Sequence, residues 1–251
     1  MVYFVGAGSG AKDLITLRGY NLLKEADVII YAGSLVNKEL LDFAKSNAEI
    51  YNSAEMTLEE VIKVMEESHK NNKMVVRLHT GDMSIYGAVR EQSDILWEKN
   101  IPFESVPGVS SFLGAAAALN AEYTLPNVSQ TVILTRMAGR TKVPEKEEIR
   151  LLASHNASMV IFLSSSMLEK LASELILGGY NENTPCAIVY KATWDDEKKQ
   201  ITTLKNLANT GKEMGITKTA LILVGDFLGT EYERSQLYHP QFSHEFRKGE
   251  C

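Results

Sequence analysis

The sequence has little that would support a disulfide framework, a membrane span or a nucleic-acid site. It contains only two cysteines in 251 residues, and their separation fits neither a disulfide framework nor a metal site. No apolar run is long enough to cross a bilayer. The formal net charge of -6 argues against a nucleic-acid partner. Because no basic segment precedes residues 2–5, we expect a first strand rather than a signal peptide, and by default a cytoplasmic protein.

Motifs of covalent and metal catalysis are also missing. The sequence has no G-x-S-x-G elbow, no P-loop and no H-E-x-x-H motif. None of its five histidines stands at metal-ligand spacing with cysteine or carboxylate partners. Only His79 lies beside a candidate site turn, and a structural role is the simpler interpretation there. We therefore predict no metal site, and we name no catalytic residue.

Strand-like apolar segments alternate with helix-like segments along the chain. This alternation predicts an α/β fold with open, mainly parallel sheets, and the second half shows some antiparallel character. The composition changes around residues 120–127, which contain Pro126 and several polar side chains. We place a domain boundary there, so the predicted domains are residues 1–120 and 121–251.

Three strand-to-turn stretches in the first half share one pattern. Residues 74–78 are largely apolar and β-branched, as a buried parallel strand is, and they lead to Gly81 and Asp82. The stretches 6–10 and 106–111 repeat this arrangement. Turns at the carboxyl ends of parallel strands form the ligand crevice of an open α/β sheet. The sequence therefore predicts a small-molecule site built from three strand ends.

Asp82 has two interpretations of about equal weight. It follows Gly81 at a strand end, where an aspartate can simply form the turn. It can equally belong to a ligand shell. We also expect Ser84 to cap a helix that begins near Tyr86.

The first glycine stretch fits a loose dinucleotide fingerprint. Gly6, Gly8 and Ala11 match the pattern G-x-G-x-x-G/A after a strand. The acid that should follow the second strand and hold a ribose is missing, because residues 31–34 read Tyr-Ala-Gly-Ser. A tight turn without a ligand and a nicotinamide site both remain alternatives.

A basic, glycine-containing loop stands out in this acidic protein. Residues 135–144 include Arg136, Arg140 and Lys142. A solvated loop is one interpretation, since charge runs are usually exposed. The other is a lid that recognises anions, because arginine pairs with carboxylates in bidentate fashion.

Together these motifs resemble the tetrapyrrole (corrin and porphyrin) methyltransferases of cobalamin synthesis. The stretches shared with the whole family are Val5–Gly8, Asp13–Thr16, Ala26–Ile29, Tyr31–Val36, Arg77–Asp82 and Val106–Val109. Those shared with one subgroup are Leu125–Pro126, Gln130–Arg136, Gly139–Thr141 and Val189–Trp194. The match extends to about Leu228, and the combination of motifs is specific although each alone is not.

The resemblance implies a C-methyltransferase that uses S-adenosylmethionine. It implies two α/β domains with the active site in the cleft between them, and a homodimer. For the subgroup, the expected reaction is methylation of precorrin-4, or of its cobalt form, at C11. The expected partner is thus a small-molecule tetrapyrrole, with no nucleic acid and no membrane.

The family motifs also suggest which residues form the site. The cofactor-binding residues carried over by resemblance are Ser9, Gly81, Asp82, Ile85, Ser110, Ser111, Leu163, Ala192 and Ala220. The candidate substrate-binding residues are the three cations of the basic loop, Arg136, Arg140 and Lys142.

The sequence departs from the family pattern at three places. The family usually reads G-P-G-D-P in the first loop, where this chain has residues 8–12 as Gly-Ser-Gly-Ala-Lys. Met83 replaces the proline that commonly follows the Gly-Asp pair, and Gly33 stands where many relatives have a carboxylate. Methylation at another precorrin carbon, an NAD(P)-dependent oxidoreductase and a non-catalytic ligand-binding module are the alternatives.

Overall fold

The computed structural model describes residues 1–249, so Cys251 lies outside the described part of the chain. The chain divides into two compact units. The first comprises Met1–Ala115 and Lys191–Glu197, and the second comprises Ala116–Tyr190 and the described residues from Lys198 onward. Each unit contains one five-stranded sheet. The predicted α/β class is confirmed.

The first unit is built on a parallel sheet with the strand order β3-β2-β4-β1-β5. The strands are β1 (Val2–Gly6), β2 (Val28–Tyr31), β3 (Glu49–Asn52), β4 (Val75–His79) and β5 (Phe103–Val106). The helices are α1 (Leu17–Glu25), α2 (Leu58–Lys70), α3 (Arg90–Glu98) and α4 (Ser111–Leu119). Every neighbouring pair of strands in this sheet is parallel, as the β-α alternation predicts.

Apolar side chains fill both faces of this sheet. One core contains Leu23 and Leu78, and the other contains Phe4 and Met65, all of them fully buried. Strands covered on both faces need continuous apolar sequence, which explains why β2 and β4 lack hydrophobic alternation.

Helix α3 begins later than the sequence predicts. The expected start was near Tyr86 with Ser84 as the cap, but the helix begins at Arg90. Tyr86 and Ala88 have φ angles of 55° and 48°, and this left-handed backbone interrupts the helix. The Ser84 hydroxyl donates to the carboxylate of Asp82 instead of capping a helix. A loop therefore connects β4 to α3.

The second unit is built on a mixed sheet with the strand order β6-β7-β10-β8-β9. Its strands are β6 (Val132–Arg136), β7 (Ser158–Phe162), β8 (Pro185–Tyr190), β9 (Lys198–Thr203) and β10 (Ala220–Val224). Its helices are α5 (Ile149–Ala153), α6 (Leu168–Gly178) and α7 (Leu207–Glu213). Among the described strands of this sheet only β6 and β7 pair in parallel, which confirms the predicted antiparallel character.

The core of the second unit lies between this sheet and its helices. It contains Cys186, which is fully buried with Leu171, Leu175 and Ile222. Burial raises the pKa of the Cys186 thiol to about 12, so the thiol stays protonated and packs as a small apolar group.

The tail beyond residue 230 folds around one arginine. The guanidinium of Arg247 donates to the backbone carbonyls of Leu237, His239 and Phe242. A cavity of about 700 Å³ lies between this tail and the stretch that contains Leu125. Among the described residues, no helix has the length and apolarity that a bilayer span requires.

Candidate functional site

Three strand ends meet at one edge of the first sheet. Strand β1 lies between β4 and β5, so the turns that follow these strands are neighbours. Gly8 and Gly81 exchange backbone hydrogen bonds of 3.2 and 3.0 Å. Both glycines have φ angles in the left-handed region, at 85° and 61°, which side chains rarely adopt. The first two of the three predicted turns are therefore in direct contact.

Glycine is required here because the backbones touch. A Cβ on Gly6 would lie 2.6 Å from Cα of Gly108 and 2.7 Å from the carbonyl oxygen of Gly81. A Cβ on Gly108 would lie 2.3 Å from the same oxygen. Because these neighbours are backbone atoms, they cannot rotate away, so the edge presents main-chain groups rather than side chains.

Asp82 ties two of the turns together. One of its carboxylate oxygens accepts from the backbone N–H of Gly108 at 2.7 Å. The other accepts from the backbone N–H of Ser84 at 2.9 Å and from the Ser84 hydroxyl. Partial burial alone would raise the pKa of Asp82, but these hydrogen bonds outweigh it and hold the pKa below its ordinary value. The carboxylate is therefore ionised at neutral pH.

Two basic side chains lie beneath this edge. His79 is almost fully buried, and its Nε2 atom has no hydrogen-bond partner among the described residues. Burial, together with the charge of Arg77, lowers the pKa of His79 to about 3, so the imidazole is neutral. Arg77 is also buried, and burial lowers its pKa to about 10. His79 is thus a buried, neutral side chain, and its structural role stays a prediction.

A buried polar chain links the sheet to the loop after β4. The Arg77 guanidinium donates to Gln92 at 3.3 Å and to the backbone carbonyl of Ile30 at 3.3 Å. The Gln92 amide in turn donates to the carbonyl of Ala88 at 2.8 Å. These bonds fix the left-handed segment that follows Ile85, one of the residues carried over from the family motif.

The remaining predicted residues of the first unit lie around the same turns. Ser9 and Ser110 are buried, and Ser111 begins α4. A Cβ on Gly81 would lie 3.3 Å from Cα of Ser110, so the second and third turns touch. Ala192 is buried, and its carbonyl oxygen lies 2.7 Å from the Cβ position of Gly10, in the first turn. The structure therefore gathers the first-unit candidates around the three strand ends.

The second-unit candidates also share one sheet edge. Ala220 opens β10 opposite Tyr190, and Arg136 ends β6 opposite Phe162. Leu163 follows β7 directly, has a φ angle of 53° and is 67% exposed. An exposed leucine in a left-handed conformation is unfavourable on both counts, and such strain is concentrated at functional sites.

The three cations of the basic loop have different environments. The Arg136 guanidinium donates to the carbonyls of Met137, Thr141 and Lys142 at 3.2, 3.2 and 2.7 Å. It thereby holds the loop in its curved form. Arg140 and Lys142 are exposed, and neither forms a salt bridge with any described residue.

A family model, that of the Tetrapyrrole (Corrin/Porphyrin) Methylases, matches residues 1–208. The chain belongs to this family. The resemblance drawn from the strand-end motifs is thereby confirmed.

Individual members of this methylase family match over almost the whole chain. A cobalt-precorrin-4 C(11)-methyltransferase from Methanocaldococcus jannaschii is 57% identical, covering 98% of this chain and 96% of that protein. The crystal structure of a cobalt precorrin-4 methyltransferase has a TM-score of 0.90 and 47% identity, over 91% of this chain and 96% of that one. A uroporphyrin-III C-methyltransferase from Thermus thermophilus, solved with S-adenosylhomocysteine, has a TM-score of 0.75 and 26% identity, over 90% and 98% of the two chains.

Two residues that contact the first glycine turn were not among the predicted site residues. Thr193 and Trp194 contact the first glycine turn, although they lie far along the chain. They belong to the stretch shared with the subgroup, residues 189–194, which was the one available signal. The residue types around Thr193 and Trp194 match no catalytic motif, so the sequence did not indicate that these two residues contact the turn.

Proposed function

We propose that this protein is an S-adenosylmethionine-dependent methyltransferase that methylates cobalt-precorrin-4 at C11 in cobalamin biosynthesis. The observation that carries the proposal is the 57% identity, over nearly the full length of both chains, to a relative of that name. A solved relative with 47% identity and a TM-score of 0.90 also acts on the cobalt form, which supports cobalt in the substrate.

The strand-end edge of the first unit fits the proposed cofactor. S-adenosylmethionine, when bound, supplies a methyl group that its sulfonium centre already activates. Its two cationic groups suit an edge whose only ionised side chain among the predicted first-unit residues is Asp82. The close-packed glycines Gly6, Gly81 and Gly108 leave main-chain N–H and C=O groups near the ligand.

Specific residues are assigned to this cofactor. In the first unit, those that would hold it are Ser9, Gly81, Asp82, Ile85, Ser110, Ser111 and Ala192. In the second unit they are Leu163 and Ala220. Asp82 also has a structural role, because its carboxylate accepts hydrogen bonds from Gly108 and Ser84 and so holds two of the turns together.

The protein's own contribution to methyl transfer is positioning. The substrate carbon is already nucleophilic, so the residues must hold it in line with the methyl group, at about 3–3.5 Å, and exclude water. We assign no catalytic base. Arg140 and Lys142 are the residues we assign to the substrate carboxylates, with Arg136 shaping the loop that presents them.

The decisive experiment follows a single methyl group. Purified protein, cobalt-precorrin-4 and S-adenosylmethionine with a ¹³C-labelled methyl are incubated, and the product is examined by mass spectrometry and NMR. We expect one added methyl group, located at C11. Asp82→Ala should lower turnover, whereas Asp94→Ala is the matched control, because Asp94 is exposed and pairs with Arg90 on the same helix, α3.

Each alternative gives a different result. A methyl group at another carbon would overturn the proposed position of attack. Binding of S-adenosylhomocysteine without turnover on precorrin-4, with or without cobalt, would indicate a non-catalytic module. A rise in melting temperature with NADH and none with S-adenosylhomocysteine would indicate an oxidoreductase.

We also infer a homodimer, and the family resemblance is its only support. Light scattering should then give twice the monomer mass of 27.9 kDa at micromolar concentration. A monomer mass throughout that range would refute the dimer and leave the proposed chemistry untouched.

A further inference from the structure

The segment Lys191–Glu197 is bonded to the first glycine turn through one hydroxyl group. The Thr193 hydroxyl oxygen lies 3.0 Å from the hydroxyl oxygen of Ser9. The same oxygen accepts a hydrogen bond of 3.1 Å from the backbone N–H of Ala11. One side chain therefore holds the turn at two points, on either side of Gly10.

Steric contacts enclose the same turn. A Cβ on Gly10 would lie 2.1 Å from Cδ1 and 2.5 Å from Nε1 of Trp194. On α4, a Cβ on Gly114 would lie 2.6 Å from Cβ of Ser9. Both glycines are thus needed for the close fit, and the turn has little freedom to shift.

The segment adopts an unfavourable backbone to make these contacts. Lys191 and Thr193 have φ angles of 46° and 68°, a region that is rare for any side chain and especially for a β-branched one. The Thr193 N–H donates to the carboxylate of Glu197 at 2.8 Å, and Lys191 pairs with Asp196 at 2.6 Å. Such strain persists only where the surrounding contacts overdetermine it.

We propose that Thr193 is a positioning residue that fixes the first glycine turn for cofactor binding. The proposal rests on the proposed function, because the turn contains Ser9, one of the residues assigned to the cofactor. It also accounts for a departure from the family motif. The family loop G-P-G-D-P has prolines where this chain has Ser9 and Lys12. Here the Ser9 hydroxyl and the N–H of Ala11, which stands at the aspartate position, bond to Thr193.

The test compares three variants of the full-length protein. Thr193→Val keeps the shape of the side chain and removes the hydroxyl, whereas Thr193→Ser keeps the hydroxyl. Thr202→Val is the matched control, because Thr202 forms a hydroxyl–hydroxyl bond of 3.0 Å with Thr210 in the second unit. Affinity for S-adenosylhomocysteine is measured by calorimetry, and exchange of the Ala11 amide hydrogen by NMR.

We expect Thr193→Val to weaken S-adenosylhomocysteine binding by about tenfold and to speed Ala11 exchange by a similar factor, as the loss of a partly buried hydrogen bond implies. Thr193→Ser and Thr202→Val should stay within about twofold of the parent. The KM for the precorrin, measured at saturating cofactor, should be unchanged in all three.

Other outcomes overturn the proposal. Unchanged affinity and exchange in Thr193→Val would show that the hydroxyl does not fix the turn. Equal weakening by Thr202→Val would show a general loss of stability instead. Should Thr193→Val fail to fold, Glu197→Ala tests the same idea, because it frees the Thr193 N–H and should also speed Ala11 exchange. If the parent binds no S-adenosylhomocysteine, the proposed function fails, yet Ala11 exchange still decides whether Thr193 holds the turn.

Discussion

Burial determines the charge of His79. In water an imidazole has a pKa of about 6.5, but here burial and the neighbouring charge of Arg77 lower it to about 3. A neutral imidazole beside a carboxylate, Asp82, leaves the negative charge of that carboxylate uncompensated. At this scale, the environment of a side chain defines its role more than its residue type does.

This shift predicts how stability depends on pH. Between about pH 6.5 and pH 3 the unfolded chain binds a proton at His79 and the folded chain does not. The stability that the neutral His79 side chain contributes is fully present above pH 6.5. As the pH falls from 6.5 towards 3, the free energy of unfolding should fall by about 1.4 kcal/mol per pH unit. His79→Gln should remove this part of the slope, as urea denaturation at pH 7, 6 and 5 would show.

The control is His155→Gln, because His155 is exposed. That variant should keep the slope of the parent. A slope that is identical in the parent and in His79→Gln would contradict the inferred neutral state of the buried imidazole.

The strand-end turns act as one element because their backbones are in contact. Gly6 ends β1, and Gly81 and Gly108 follow β4 and β5. A Cβ on Gly6 or on Gly108 would lie 2.3–2.7 Å from backbone atoms of the other two glycines. Asp82 adds hydrogen bonds to Gly108 and Ser84. A change in any one turn should therefore disturb the other two.

Gly6→Ala tests this coupling of the turns. The added Cβ would meet backbone atoms at 2.6 and 2.7 Å, so the free energy of unfolding should fall by about 3 kcal/mol. Affinity for S-adenosylhomocysteine should fall as well. Chemical denaturation and calorimetry measure the two effects.

Gly139→Ala is the matched control for stability. Its Cβ would lie 3.6 Å from the Met167 side chain, which is ordinary contact, and its φ angle lies outside the left-handed region. Its free energy of unfolding should change by less than about 1 kcal/mol. Equal losses in the two variants would mean that crowding at the strand ends is not the cause.

Charge has to be considered for the molecule as a whole. The protein has a net charge of -6, while a precorrin carries many acetate and propionate groups. Overall charge therefore opposes their association, and recognition needs local positive charge. Arg140 and Lys142 provide it, since both are exposed and neither forms a salt bridge with a described residue.

Arg140→Ala should raise the KM for the precorrin and leave S-adenosylhomocysteine affinity nearly unchanged. A well-formed charge-assisted hydrogen bond is worth about 1.5–3 kcal/mol, and less where it is solvated. Added salt should weaken substrate binding more in the parent than in this variant. Lys146→Ala is the control, because it removes an exposed positive charge just beyond the loop. An unaffected KM would place Arg140 outside the substrate site, and equal weakening of both ligands would make the loop structural.

The sequence alone determined the class of fold and the family, and it located the strand-end turns of the first half. Strand segments such as residues 74–78, apolar except for Arg77, predicted a sheet covered on both faces, and the three strands of the site run into glycine-containing turns. Parallel strands place their carboxyl ends at one edge, so convergence of the turns followed from local pattern and topology together. These features are local in sequence, which is why they could be predicted.

Tertiary structure decided what depends on contacts between distant residues. Helix α3 starts at Arg90 rather than near Tyr86, because the buried Gln92 holds the carbonyl of Ala88 in a left-handed segment. The Arg136 guanidinium donates to backbone carbonyls of the basic loop to which it belongs. The number of positive charges in the sequence could not show this. Thr193 reaches Ser9 across most of the chain. Local propensity contains no information about such pairings, since their energy arises only when folding brings the two partners together.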